Sequence, residues 1–218
     1  MDALVGLLEG TPYTLYACGI VAAFAIIGCG LKYIDDAFDE ARFSKRRAML
    51  MAPLLVAIWV CVSISDTGSA TVLFAILFAV LLSGKVDNPV FKLSSIALLA
   101  MLFFALMSRF SYVPLAVLTV LGIADEKGND YADGNRLGEL AEFFFAHRCS
   151  MKVGTLGLCL ASFLPWLYLL AFMVFDLAYE VVRIAKDVNL SAICFELCKP
   201  QLALIMLSDH RVHELRRT

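Results

Sequence analysis

The sequence predicts an all-α integral membrane protein, a single bundle of six to seven transmembrane helices. Hydrophobic residues make up 61% of its 218 positions and charged ones only 17%, with a mean hydropathy of +0.82, far on the apolar side of a globular composition. The apolar residues come in long runs, several of them near the roughly 20 residues that a helix needs to cross a bilayer core. The charges collect in the connectors between those runs.

The net charge of -2 says little about partners, because in such a chain only the distribution of charge among connectors is informative. Nothing in it points to nucleic acid. The seven cysteines, Cys18, Cys29, Cys61, Cys149, Cys159, Cys194 and Cys198, lie mostly inside apolar runs with no CxxC pair, and read as small buried hydrophobes. Asp2 and Glu9 stand where a signal peptide would carry basic residues, so no cleavable targeting segment is expected and the first span directs insertion.

The first span, 13–34, delivers Asp35, Asp36, Asp39 and Glu40 to one membrane face, and Arg42, Lys45, Arg46 and Arg47 follow at once. That basic run marks the face as cytoplasmic and puts the N-terminus outside. The second span, 48–65, carries Pro53 in its opening turns, where proline is best tolerated. Ser65 to Ser69 form a tight polar turn, with Asp66 or Thr67 as N-cap of a third span, 70–84. Lys85-Val86-Asp87-Asn88-Pro89 is then a cytoplasmic connector whose proline stops the preceding helix.

Two short spans follow, 93–107 and 112–123, separated by Ser108 to Ser111; their length implies tilting, thinning or a recessed bundle mouth. The fifth span opens into the longest polar segment, 124–136, read as a connector, and then an amphipathic stretch, 137–147. A long span, 154–175, has an expected kink at Pro165 and leads into a charged amphipathic helix, 176–187. A seventh span, 190–207, is weakened by Glu196, Lys199 and Pro200, while Arg211, Arg216 and Arg217 favour the cytoplasmic end that it would provide. One transmembrane domain, 1–218, accounts for the whole chain.

The acidic stretch after the first span is where chemistry is expected. If the first helix continues through it, Asp35 and Asp39 share one face and Asp36 and Glu40 the next. Each like-charge pair costs a few tenths of a kcal/mol, and each carboxylate at a helix C-terminus roughly 0.3–1 kcal/mol more. A divalent cation carrying phosphate oxygens reverses both signs, since Mg²⁺ takes one or two carboxylates plus phosphates. A hydrated acidic helix end is the plainer alternative. Four further spans return the chain to the same face, where the polar segment adds a second acidic cluster. Asp35, Asp36, Asp39, Asp125, Asn129, Asp130 and Asp133 are thus the candidate metal ligands, and Arg42, Lys45, Lys85, Lys127 and Arg136 the candidate diphosphate partners. Metal ions would spread the charge of a leaving diphosphate, and the spans would house its hydrocarbon.

Asp35-Asp36-Ala37-Phe38-Asp39 at the end of one helix, and Asp125 through Gly134 at the end of the helix four spans on, resemble the paired Asp-rich motifs of the UbiA-type intramembrane prenyltransferase superfamily. Asp35 stands in place of the family's Asn, Phe43 stands where a further Asp is usual, and the chain has fewer spans. The resemblance implies a UbiA-like bundle that transfers a prenyl group from an isoprenoid diphosphate to a hydrophobic acceptor, with Mg²⁺. Other classes stay open. Asp36-Ala37-Phe38-Asp39-Glu40-Ala41-Arg42 echoes the acidic motif of CDP-alcohol phosphotransferases, without its Gly and with Arg two positions off. A cation transporter would want ionisable groups at mid-membrane, which the spans scarcely supply. A non-catalytic UbiA-like membrane protein is the third alternative.

Overall fold

The turns that set the bundle's register are closed by side chains and a glycine that the sequence supplies at the right places. The computed structural model describes residues 2–40, 43–103, 110–135 and 138–185. The chain divides into two compact units, Met1–Glu180 and Val181–Thr218. The architecture below is that of the first; of the second, only 181–185, the end of a helix, are described.

All regular structure among the described residues is helical. α1 (Asp2–Phe38) runs through the first acids without a break, and α2 (Lys45–Ser65) returns beside it. Tyr13–Phe38 and Lys45–Ser65 are each long and apolar enough to cross a membrane, with mean hydropathies of 2.1 and 2.3. α2 starts earlier than expected, so Pro53 lies inside it. Asp66 caps α3 (Thr67–Ser83), its carboxylate accepting from the Ser69 N–H at 2.6 Å. Gly84, at φ 79°, closes α3 in the left-handed conformation that glycine alone adopts freely. Pro89 therefore does not stop α3, contrary to expectation. It begins α4 (Pro89–Met101), where a missing N–H costs nothing, and Asn88 caps that helix by accepting from the Phe91 N–H at 2.8 Å.

The largest departures come later in the chain. α5 (Tyr112–Asn135) does not end near Ile123 but continues through 124–135, so the expected connector is the polar half of a helix. Ala, Glu, Lys and Tyr sustain a helix well enough once its other half is anchored. α6 (Glu139–Ala146) falls within the expected amphipathic stretch. The expected long span at 154–175 is two helices, α7 (Cys149–Leu160) and α8 (Trp166–Ala185). Pro165 breaks the helix instead of kinking it, because it disfavours helical geometry at Leu164 and offers no donor; Ser162 turns the chain at φ 60°. Lys152, early in α7, pairs with Asp176, well along α8, so the two run antiparallel. Residues 104–109, closing the expected fourth span, and the expected seventh span lie outside the described residues.

α3 is the central helix, buried without interruption from Ser69 to Leu77, as an all-round apolar helix must be. Phe24 and Ile27 of α1, Leu73 and Phe74 of α3, Leu118 of α5, and Phe172 and Phe175 of α8 meet in the main core. The start of α5 is pinned to α3 by the Ser111 N–H donating to Thr71 Oγ1 at 3.1 Å. A smaller cluster, Ile34 and Ala37 against Ala48, Ala52 and Leu55, joins the end of α1 to the start of α2. The outward faces are apolar too: Ile26, Leu50, Leu54, Leu93, Ile96 and Val120 are all exposed. Tyr13 on α1, Tyr112 on α5 and Trp166 on α8, also exposed, stand near the starts of their apolar stretches.

α1 and α8 run parallel and in close contact. A Cβ at Gly28 would strike the Phe175 carbonyl oxygen, and Cys29 Sγ donates to the Ala178 carbonyl at 3.4 Å. At Gly30 the atoms nearest an added Cβ are those of the Leu55 side chain. Gly28→Ala should therefore cost about 1–3 kcal/mol of stability, the usual penalty of overpacking, because a backbone cannot step aside. Gly30→Ala should cost less, since Leu55 can change rotamer. Thermal unfolding of the purified variants checks this, and equal losses would mean that the two helix backbones do not touch.

Candidate functional site

The last turns of α1 carry both the acids and their counter-ion. Lys32 lies three residues before Asp35 and four before Asp36, on the same helical face. Its Nζ stands 2.9 Å from Asp35 Oδ2 and 2.9 Å from Asp36 Oδ1. Lys32 and Asp36 are both buried, Asp36 at 1% exposure. The second oxygen of Asp36, Oδ2, is buried and has no hydrogen-bond partner. Asp39 is exposed at the end of the same helix, with its N–H bonded to the Asp35 carbonyl. Asp87, from the α3–α4 connector, adds a further negative charge near it.

A second group of charges belongs to α5, α7 and the α3–α4 connector. Glu126 and Asp130 are one turn apart on α5, and Lys85 Nζ reaches both, at 3.1 and 2.8 Å. Arg148, the residue before α7, donates to Glu126 Oε1 at 3.3 Å. Burial works against the Lys85 cation, but Asp130 and Glu126 outweigh it and push its pKa above the ordinary lysine value. Lys152 pairs with the buried Asp176 and donates to the His147 carbonyl at 2.7 Å. Asp125 is not part of this exchange. Its two carboxylate oxygens accept the N–H groups of Ser150 and Met151, at 3.0 and 2.9 Å, and so cap the free amides at the start of α7.

Tyr179 of α8 joins the two groups. Lys32 Nζ lies 5.2 Å and the Arg148 guanidinium 4.9 Å from its ring centroid, both within cation–π range. Its hydroxyl donates to Asp35 Oδ2 at 3.4 Å. The acids of α1 and of α5 therefore occupy one end of the bundle, linked through an aromatic ring 144 residues from Asp35 in sequence.

The expected ligands are thus distributed unevenly. Asp35, Asp36 and Asp39 lie together; Asp130 binds Lys85; Asp125 faces α7. Asn129 is half-buried on α5, and Asp133 belongs to the last turns of that helix. Among the described residues no group of three or more His, Cys, Asp or Glu stands at metal-ligating spacing. Of the expected diphosphate partners that are described, Lys85 alone is in the network. Lys127 is exposed, Lys45 is exposed with its Nζ 5.5 Å from the Phe38 ring centroid, and Arg42 and Arg136 lie outside the described residues. Lys32, Arg148, Lys152, Glu126 and Tyr179 were not anticipated. Lys32 alone carried a sequence signal, its spacing from the two acids. Between α3, α5 and α7, Ile76, Gly122, Glu126, Arg148 and Met151 line a cleft of about 10 Å³, room for one water.

Removing Lys32 strands the buried carboxylate of Asp36, so Lys32→Met should lose about 3–5 kcal/mol, the usual cost of breaking a buried pair. Lys32→Met combined with Asp36→Asn should recover part of that loss. Denaturant unfolding of both variants tests the pairing, and strictly additive losses would contradict it.

Asp39 offers a pH test. Partial desolvation by the surrounding chain first, then the charges of Asp35 and Asp87, push the carboxyl of this exposed residue above the ordinary range. The folded chain then holds this proton more tightly than the unfolded chain, and Asp39 costs stability as pH rises above about 4, its unfolded value. Asp39→Asn lacks that loss and should be slightly more stable than the parent at neutral pH, with the two converging near pH 3. Parallel stability curves across that window would sink this account.

Comparison with protein-family models, curated proteins and solved structures finds no match for this chain.

Proposed function

We propose that this chain is an integral membrane bundle of six to seven spans that binds an isoprenoid diphosphate with Mg²⁺ at its charged end and transfers the prenyl group to a hydrophobic acceptor. The observation that carries the reading is the unpartnered Oδ2 of buried Asp36, whose other oxygen pairs with Lys32, three residues before Asp39, which faces the negative charges of Asp35 and Asp87. An ionised oxygen out of water demands a partner. A small site of this kind suits Mg²⁺, which needs one or two protein carboxylates when phosphate oxygens complete its shell. The absence of a three-ligand group among the described residues is compatible with that chemistry, though not with a structural metal held by protein alone.

Asp36 and Asp39 are the residues that would hold the ion, and its chemistry would be to spread the charge of the departing diphosphate. The chain's own cations do the rest. Lys32, Lys85 and Arg148 are each held by internal carboxylates, and phosphate oxygens, which bind cations comparably, would compete with those acids for them. Membrane embedding is supported by the two long apolar helices and by the exposed apolar faces of α1, α2, α4 and α5. The basic run Lys45, Arg46 and Arg47, exposed beside the charged end, supports a cytoplasmic site and an external N-terminus.

A second reading, a non-catalytic bundle of the same kind, draws support from the structural use of Asp125 as a helix cap. Titration of the protein in lipid nanodiscs with a non-hydrolysable prenyl diphosphate analogue separates the two. Binding should require Mg²⁺, be abolished by Asp36→Asn and be weakened by Lys85→Gln. Lack of binding by the parent protein at any Mg²⁺ concentration rejects the prenyltransferase reading and leaves the non-catalytic one.

A further inference from the structure

α6 presents an apolar face that the bundle does not use. Leu140, Phe143 and Phe144 stand at i, i+3 and i+4, on one side of the helix, and are exposed by 87%, 58% and 39%. Phe145 points the other way, against Gly128 of α5, and so fixes the helix to the bundle on that side. Tyr131 of α5, close by in the polar half of that helix, is likewise exposed. Two further observations say what covers this face. α1, α2, α4 and α5 expose large apolar side chains along their apolar stretches, among them Ile26, Leu54, Leu93 and Val120, as α6 exposes its own. Around the same end the exposed cations Lys45, Arg46, Arg47 and Lys127 stand among the exposed acids Asp39, Glu40, Asp87 and Asp130, a rim of mixed charge such as headgroups accommodate.

We propose that α6 is an in-plane membrane helix, which sinks Leu140, Phe143 and Phe144 into the headgroup–acyl boundary of the bilayer. A short helix with an aromatic face beside a charged rim has the chemistry of an interfacial segment, whose apolar side reaches about 5–10 Å into that boundary. α6 then fixes the depth of the polar half of α5, and with it Glu126 and Asp130, at the level of the lipid phosphates. The inference rests on the membrane embedding proposed above but not on prenyl transfer.

Single tryptophans report depth through quenching by brominated lipids, with the signal of the native Trp59 and Trp166 subtracted. The full chain is reconstituted in nanodiscs containing anionic lipid. Phe143→Trp and, as a second variant, Leu140→Trp should be quenched strongly by bromines near the headgroup and weakly by bromines near the chain ends. Ile26→Trp, midway along α1, should show the reverse order. If neither α6 variant is quenched by any brominated lipid while Ile26→Trp is, the in-plane helix is refuted: iodide quenching would then mean exposure to water, and a blue-shifted, unquenched emission a protein partner. If Ile26→Trp also escapes every brominated lipid, the membrane reading fails first.

Discussion

A carboxylate pair one residue apart on a helix that is otherwise apolar is the constraint around which the charged end is built. Asp35 and Asp36 cannot both be turned to water, because α1 packs against α2 on one side and α8 on the other. Lys32 resolves this within a single helical turn, but at the cost of burying its own charge. The desolvation of a lysine is tolerable only when the surroundings return most of it, and here they do so through two acids and the face of Tyr179. Tyr179 in turn needs α8 parallel to α1 and close to it, which Gly28 permits. A charge problem at the end of α1 thereby dictates the packing of a helix at the far end of the chain.

The same logic organises α5. Its polar half would be a frayed tail in isolation, since nothing apolar remains beyond Ile123 to bury on one face except Ala132. It persists because Asp125 supplies the amides of α7 with acceptors and because Glu126 and Asp130 are bridged by Lys85 and Arg148. Exposed ion pairs contribute little each, and Asp130 is more than half exposed. Glu126, at 14%, is the member whose pairing matters. Gly122 and Gly128 let Ala79 and Phe145 lie directly on the α5 backbone, so the helix is held by packing along its inner side and by charge at its end.

Which parts could be read from the sequence follows from the range of the forces involved. The α2–α3 and α3–α4 turns were legible, or nearly so, because Asp66, Gly84 and Asn88 act within three residues of themselves. The misassignment of Pro89 came from treating proline only as a breaker when it is equally a first-turn residue. Polarity was taken as the end of α5, whereas tertiary contacts from α7 carry the helix onward. Pro165 was read as a kink; no local signal distinguishes a kinked span from a hairpin when both flanks are apolar. Parity of spans placed both acidic stretches at one end, and the structure has them there. Arg148 and Tyr179 had no signal at all, lying 112 and 143 residues after Asp36 in the numbering.

The acids at this end do not play equivalent parts. Both oxygens of Asp125 are taken by backbone amides, so a metal could claim it only by uncapping α7 and exposing two donors, at about 1–3 kcal/mol for each left unsatisfied. Asp36 is the opposite case, with one oxygen paired and the other buried and idle. A ligand that supplies positive charge gains most where the protein gives up least, so under the proposed reading Asp36 is favoured over Asp125. The sequence motif treats the two Asp-rich stretches as equals. The geometry assigns one to helix capping and charge pairing, and leaves the other with an unmet demand.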